Sequence, residues 1–245
     1  MKQPYSHFEE IHNTSAPQQI VPVIIELTHP KSIIDVGCGL GTFIKVFKEF
    51  GIEEIIGIDG SWCNRDLLFK NINPSEFIEQ NLELQININK RFDLVVCLEV
   101  AEHLPPERAD SFVSDLVSLG DIILFSAAIP NQLGINHLNE QWISYWEAKF
   151  KKHNYVVHDI LKSFFWDQQN IFWWYAQNMV IVTKRDYQFE TNLPIRYNFL
   201  KHVVHPDLFN SRNEYLNNII TGRSSLTYYI KLFIKAILYR VGLKR

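Results

Sequence analysis

Short apolar runs that alternate with helix-patterned segments between residues 31 and 150 constrain this chain more than any other feature. Residues 32–36, 54–58, 92–98 and 121–125 are almost continuously apolar, as strands covered on both faces of a parallel sheet must be. Between them, residues 42–50 put Phe43, Val46, Phe47 and Phe50 on one helical face and stop at Gly51; residues 105–119 open on proline and turn Phe112, Leu116 and Leu119 inward. A buried helix is predicted at 17–27, a short one near 64–69, a strand around 77–78 and an aromatic helix at 139–150. Two last strands, at 155–161 and 175–183, have no helix between them and should pair antiparallel. The fold class is therefore α/β, a Rossmann-like doubly wound sheet.

Composition narrows the setting. The chain has 245 residues, 47% of them hydrophobic, with three cysteines at 38, 63 and 97 that form no CxxC pair. Neither a disulfide scaffold nor a zinc cluster is indicated, and a reducing cytoplasm is the expected location. Residues 1–19 lack the apolar segment of a secretory signal, and no apolar stretch reaches the roughly 18 residues of a membrane span. The formal net charge of -3 conceals an uneven distribution. No acidic residue follows Glu214, whereas Arg223, Lys231, Lys235, Arg240, Lys244 and Arg245 are all basic, so residues 1–222 carry -9 and the tail +6.

The loop Gly37-Cys38-Gly39-Leu40-Gly41 lies between the first strand and the helix after it, where residues without side chains admit a ligand close to the backbone. The carboxyl edge of an open parallel sheet is also where such ligands bind. A dinucleotide fingerprint wants its third glycine at position 42, which is Thr, and a phosphate loop would end in Gly-Lys-Ser/Thr. Asp35, just before the loop, would repel a phosphate but suits an ammonium or sulfonium group. Asp59, followed by Gly60 at the end of the second strand, can accept hydrogen bonds from both hydroxyls of a ribose.

In these motifs the sequence resembles the class I S-adenosylmethionine-dependent methyltransferases, over roughly residues 15–184. The glycine motif looks like Asp35-Val36-Gly37-Cys38-Gly39-Leu40-Gly41, the ribose acid like Asp59, and the fourth-strand motif like Phe92 through Leu98, Glu99, Glu102, His103 and Leu104. The resemblance implies a seven-stranded sheet in the order 3-2-1-4-5-7-6 with the last strand antiparallel. It implies S-adenosylmethionine as cofactor, held by Asp35, Gly37, Cys38, Gly39, Gly41, Asp59, Gly60, Leu82, Leu98 and Glu99. The family commonly has an acid beside the adenine after the third strand; here Asn81 stands at that register, with Glu79 and Glu83 as alternatives. The cofactor domain is expected over residues 1–185 and a helical extension over 186–245.

The methyl acceptor should lie beside the cofactor at the same sheet edge. His103, after the fourth strand, and His137, after the fifth, are candidate general bases, with Glu140 beside them. Each also has a plainer reading, as a helix-orienting or solvent-facing residue, and Asn139 as the cap of the helix expected at 139. No Asp, Asn and His constellation reads as a magnesium site, so metal independence is expected. Cys38 and Cys97 read as small buried residues, and the aromatics Trp166, Phe172, Trp173, Trp174 and Tyr175 as packing over the sheet edge. An acidic domain without a basic stripe argues against nucleic acid. The segment from Leu124 through Tyr145-Trp146 resembles bacterial methyltransferases of surface-glycan or secondary metabolism, which implies a sugar or another small hydroxylated metabolite as acceptor. A catalytically silent partner subunit and, less well supported, a dinucleotide oxidoreductase are the alternatives. In the tail, Leu226, Ile230, Phe233, Ile237 and Val241 recur at helical spacing beside Lys231 and Lys235. Such a helix packs on its own domain or a second subunit, or lies on the inner membrane face through residues 223–245.

Overall fold

The computed structural model describes residues 13–196 and 203–242. The chain divides into two compact units, residues 1–203 and 204–245.

In the first unit the elements run α1 (Ser15–Thr28), β1 (Ser32–Val36), α2 (Thr42–Glu49), β2 (Glu54–Asp59), α3 (Arg65–Leu68), β3 (Phe77–Glu79), β4 (Leu94–Leu98), α4 (Ala109–Leu119), β5 (Ile122–Ser126), α5 (Ile143–Lys152), β6 (Tyr155–His158), α6 (Lys162–Phe165), α7 (Trp173–Asn178) and β7 (Val180–Lys184). The seven strands form one sheet in the order 3-2-1-4-5-7-6. Strands β1 to β5 pair parallel, and β7 is antiparallel to both β5 and β6. Every residue of β1 and β5 is buried, which accounts for their uninterrupted apolar sequence. One core layer joins Ile20, Ile24 and Leu27 of α1 to Phe43 and Phe47 of α2, and the other joins Phe112 and Leu116 of α4 to Trp146 and Phe150 of α5.

The register decides where chemistry can occur. Asp35 is level with Gly57 on β2 and with Val96 on β4, and Leu98 is level with Ser126 on β5. The loops after β1, β2, β4 and β5 therefore leave the sheet at one edge. Because β7 runs the opposite way, its beginning, preceded by Asn178, reaches that edge too.

Several boundaries differ from expectation: the strand expected at 155–161 ends at His158, and two short helices, α6 and α7, lie between the last two strands, where none was expected, although these strands still pair antiparallel. The helix predicted from Asn139 begins at Ile143, with Trp142 as its first flanking residue. Asn139 caps nothing: it is 2% exposed, and its backbone N–H donates to the Glu102 carbonyl at 2.9 Å. The last strand starts at Val180 rather than 175, because Trp173–Asn178 form α7, where the mixed aromatic run packs as a helix. Tyr187, Phe189, Leu193 and Ile195 pack against the first core layer, so apolar packing continues beyond residue 185.

The second unit contains α8 (Pro206–Ile220) and α9 (Leu226–Arg240), joined through Gly222 at φ 75°. The Tyr229 hydroxyl donates to the Ile219 carbonyl at 2.8 Å, and the Tyr215 and Tyr228 hydroxyls lie 2.6 Å apart. Lys244 and Arg245, part of the expected basic tail, lie outside the described residues. No helix among the described residues is long and apolar enough to cross a membrane.

Candidate active site

The glycine loop is held by its backbone. Gly37, Gly39 and Gly41 have φ of 82°, 52° and 70°, the left-handed region where a Cβ is penalised. At Gly37 a Cβ would also come within 2.4 Å of Val100 Cγ2. The Gly37 N–H donates to the Ile58 carbonyl at 2.8 Å, tying the loop to the end of β2. Asp59 completes this tie: its Oδ2 accepts from the Gly39 N–H at 2.8 Å and its Oδ1 from the Gly60 N–H at 2.6 Å. The Cys63 thiol donates to the Gly39 carbonyl at 2.9 Å. A carboxylate has about four acceptor sites, so beyond the Gly39, Gly60 and Trp62 donors Asp59 retains capacity for a further donor such as a ribose hydroxyl.

Asp35 and Asp59 are each only 5% exposed. Burial, then the neighbouring Asp59 charge, pushes the Asp35 carboxyl up to about 8. Burial also raises Asp59, against the lowering effect of the Gly39 and Gly60 amides and of the Trp62 side chain. Both carboxyls resist ionisation on their own, and a positively charged ligand beside them would favour their ionised forms, which is how the pair suits a cation. Cys38 contributes shape: burial holds its thiol far above the ordinary range, and a Cβ on Gly57 would meet its Sγ at 2.8 Å. Cys97 is likewise buried, with its thiol raised chiefly by burial.

The loop of Asn81 and Leu82, expected beside the adenine, is braced by residues the sequence did not single out. Leu82 is buried, while Asn81 is exposed and its Oδ1 accepts from the Glu83 N–H at 2.9 Å. The loop carrying them is fixed from below by buried Arg108, which donates to the carbonyls of Leu82 (3.2 Å) and Leu84 (2.8 Å) and pairs with Asp115. Asp115 Oδ2 in turn accepts from the Ile86 N–H at 3.0 Å. Trp62 lies over Gly60, where a Cβ would touch its ring at 2.2 Å. Neither Arg108 nor Trp62 sits in a motif, so only the fold exposes their roles.

On the far side of the loop, β4 ends in Leu98 and Glu99, and Glu99 takes a left-handed φ of 54°. Its carboxylate accepts from Gln132 Nε2 at 2.9 Å and Asn178 Nδ2 at 3.1 Å, and its N–H donates to Ser126 Oγ at 3.0 Å. A left-handed, hydrogen-bonded acid at a strand end is a strained conformation stabilised by its neighbours, as functional positions often are.

His103 and His137 are brought together, ring centroids 4.8 Å apart at an interplanar angle of 84°. Their meeting depends on Glu102, whose carbonyl accepts the N–H groups of Leu138 (2.7 Å) and Asn139 (2.9 Å) and so pins the loop after β5 beside β4. Glu140, expected among the catalytic residues, organises that loop. Its carboxylate accepts from the N–H groups of Asn131 (2.8 Å) and Leu133 (2.7 Å) and contacts His137 Nδ1 at 2.9 Å. Asn131, Leu133 and Asn136 all have positive φ, a strain these bonds offset. Burial, and then His137, pushes the His103 imidazole down to about 4. Glu102 itself was missed as a side chain: it is 0% exposed and neither carboxylate oxygen has a hydrogen bond.

A methyltransferase-domain family matches residues 11–184, most of the chain, and the protein belongs to that family, the class I S-adenosylmethionine-dependent methyltransferases. Over 116 residues it is 28% identical to the magnesium-protoporphyrin O-methyltransferase of Synechocystis sp., a match spanning 44% of this chain and 48% of that protein. Over 135 residues it is 26% identical to the mitochondrial ubiquinone biosynthesis O-methyltransferase of Dictyostelium discoideum, spanning 48% of this chain and 38% of that one. The chain thus spans about half or less of the curated relatives it matches. The crystal structure of Streptomyces venezuelae DesVI shares the fold, with a TM-score of 0.55 at 10% identity, covering 74% of this chain and all of that one.

S-adenosylmethionine is the cofactor of this family, and the cradle fits it. The glycine loop leaves space that a Cβ at Gly37 would close, Asp35 offers a carboxylate to a cation, and Asp59 retains acceptor capacity for ribose hydroxyls.

Proposed function

We propose that this protein transfers a methyl group from S-adenosylmethionine to an oxygen of a small hydroxylated molecule, a sugar or surface-glycan precursor being the favoured class. The observation that carries the reading is the Glu102–His103–His137 cluster, tied to the end of β4 on the side of the loop away from the ribose acid. When bound, the cofactor would supply an electrophilic methyl carbon, with the sulfonium sulfur as leaving group, and His103 or His137 would take the proton that the acceptor hydroxyl gives up as its oxygen gains the methyl group. This chain's residues hold the acceptor in line and exclude water, which accounts for most of the acceleration in such a displacement.

Several features support an oxygen acceptor. Asn139 Nδ2 is buried without a partner, a donor suited to an acceptor oxygen, and its Oδ1 is fixed by Gln141 Nε2 at 3.0 Å. The named relatives are O-methyltransferases. Labelled cofactor incubated with sugar nucleotides, lipid-linked sugars and other hydroxylated metabolites tests the reading. Label recovered on one acceptor class supports it; tight cofactor binding with no transfer to any acceptor would favour a silent partner subunit instead.

A peripheral membrane contact through α9 belongs to the same proposal, as a route to a lipid-linked acceptor. It is supported by Leu226, Phe233 and Ile237, which are 76%, 69% and 45% exposed on a helix with basic residues and no acid. Co-sedimentation of the full chain with anionic vesicles should fall several-fold in Phe233→Glu/Ile237→Glu. Equal pelleting of both proteins, or concentration-dependent dimerisation that the double variant abolishes, would replace the membrane by chance adsorption or by a second copy.

A further inference from the structure

Glu102 poses a problem that a methyltransferase cradle alone does not answer. Its side chain is fully buried, both oxygens lack a hydrogen bond, and the amides of Glu102 and Ala128 lie near without closing one of normal geometry. Buried carboxylates are paired, hydrogen-bonded or bound to metal. Two further acids, Glu99 and Glu140, act on it electrostatically, so the protein surrounds this group with more negative charge.

The neighbours that do face it are metal-ligand types. One ligand atom each from Glu102, His103 and His137 lie within 4.8 Å of one another. Metal–ligand bonds of about 2.0–2.2 Å at a tetrahedral angle place ligand atoms about 3.4 Å apart, so side-chain rotations that bring these atoms nearer by about 1 Å close the set. Each imidazole is already oriented from behind, as ligating histidines are. His137 Nδ1 contacts Glu140, and the His103 ring donates to the backbone of the Ile135–Asn136 segment. Such outer partners fix the tautomer and leave the other ring nitrogen for the ion. Two neutral imidazoles and one carboxylate match divalent transition metals, with open positions for water or substrate.

We propose that Glu102, His103 and His137 form a site for one divalent transition-metal ion of the zinc, manganese or iron(II) type, with Glu140 as the positioning residue for His137. The proposal departs from the metal independence expected from sequence. That expectation looked for an Asp, Asn and His set, whereas the ligands come from one tripeptide turn and a loop 34 residues further on. The inference rests on the O-methyl transfer reading only for its role: an ion here would bind the acceptor oxygen and lower its pKa, so that deprotonation needs no free base.

The test uses the full chain, stripped with EDTA and titrated calorimetrically with Zn2+, Mn2+ and Co2+. One ion per chain is expected. Glu102→Gln and His137→Ala should weaken binding at least 100-fold and Glu140→Gln about 10- to 100-fold. His158→Ala, at another part-buried histidine, should not weaken it. S-adenosylmethionine affinity reports whether each variant is folded. Should the ligand variants not fold, the Co2+ absorption spectrum of the wild type decides: nitrogen–oxygen ligation supports the site, and thiolate bands place the ion elsewhere and overturn it. Absence of stoichiometric binding, or binding undiminished in folded Glu102→Gln and His137→Ala, also overturns it. Undiminished methyl transfer by the stripped enzyme would overturn the ion's role and leave the transferase standing. Stoichiometric metal without transfer to any hydroxyl would uphold the site and remove the O-methyl reading.

Discussion

Asp35→Asn should make the ligand-free protein more stable and its cofactor binding weaker. The carboxyl is pushed from 3.8 up to about 8 by burial and by Asp59. Its folded pKa lies above its unfolded one, so between about pH 4 and pH 8 the native state retains a proton that the unfolded chain has released. Stability therefore falls as pH rises through that window, by up to about 1.4 kcal/mol per unit, and levels off above it. At pH 7 this amounts to at most about 4 kcal/mol. Asparagine removes the penalty but must itself be desolvated, so a net gain of about 1–3 kcal/mol is expected, or several degrees in Tm for a domain of this size. Urea unfolding followed by circular dichroism at pH 5.5, 7 and 8.5 reads both quantities, with the difference between variant and wild type growing with pH. Calorimetry at pH 8 should show S-adenosylmethionine binding at least 10-fold more weakly, because the attraction for the cation is lost. A variant less stable than wild type at pH 7, or a stability difference independent of pH, would mean that Asp35 carries no burial penalty.

Three further perturbations follow from the geometry. Gly37→Ala, at φ 82° with its Cβ 2.4 Å from Val100, should cost about 2–4 kcal/mol in urea unfolding, partly restored by adding Val100→Ala. Arg108→Met leaves Asp115 buried and frees the Leu82 and Leu84 carbonyls; a loss of about 3–5 kcal/mol is expected, with faster amide exchange across residues 81–86. Glu140→Gln should lower the rate of methyl transfer at least 10-fold while changing S-adenosylmethionine affinity less than 2-fold, because Glu140 bonds only the acceptor-side loop.

Elements with a clear period could be read directly. Buried parallel strands such as β1 and β5 are apolar at every position, and the glycines of the cofactor loop mark left-handed backbone that other residues avoid. Segment 172–178 was illegible because aromatic residues suit strand and helix alike, and only packing on Phe43 through Tyr175 decides for α7. The acceptor side was half legible. His103 and His137 stood out by type, but Glu102 was only one position of the fourth-strand motif, and its complete burial is a property of the fold. Glu140 suggested chemistry by its neighbourhood, while its three bonds show a loop organiser. Gln132 and Asn178, which hold Glu99, lie 33 and 79 residues from it, beyond any local pattern.

Together, the cradle and the Glu102–His103–His137 cluster are proposed to place a methyl group on oxygen. Cofactor carrying a trideuterated methyl group, incubated with the full chain and the acceptor that takes label, tests this when the product is examined by NMR and mass spectrometry. One intact CD3 group bonded to a hydroxyl oxygen of the product is expected. Label on nitrogen, carbon or sulfur, with the cofactor bound as described, would contradict it.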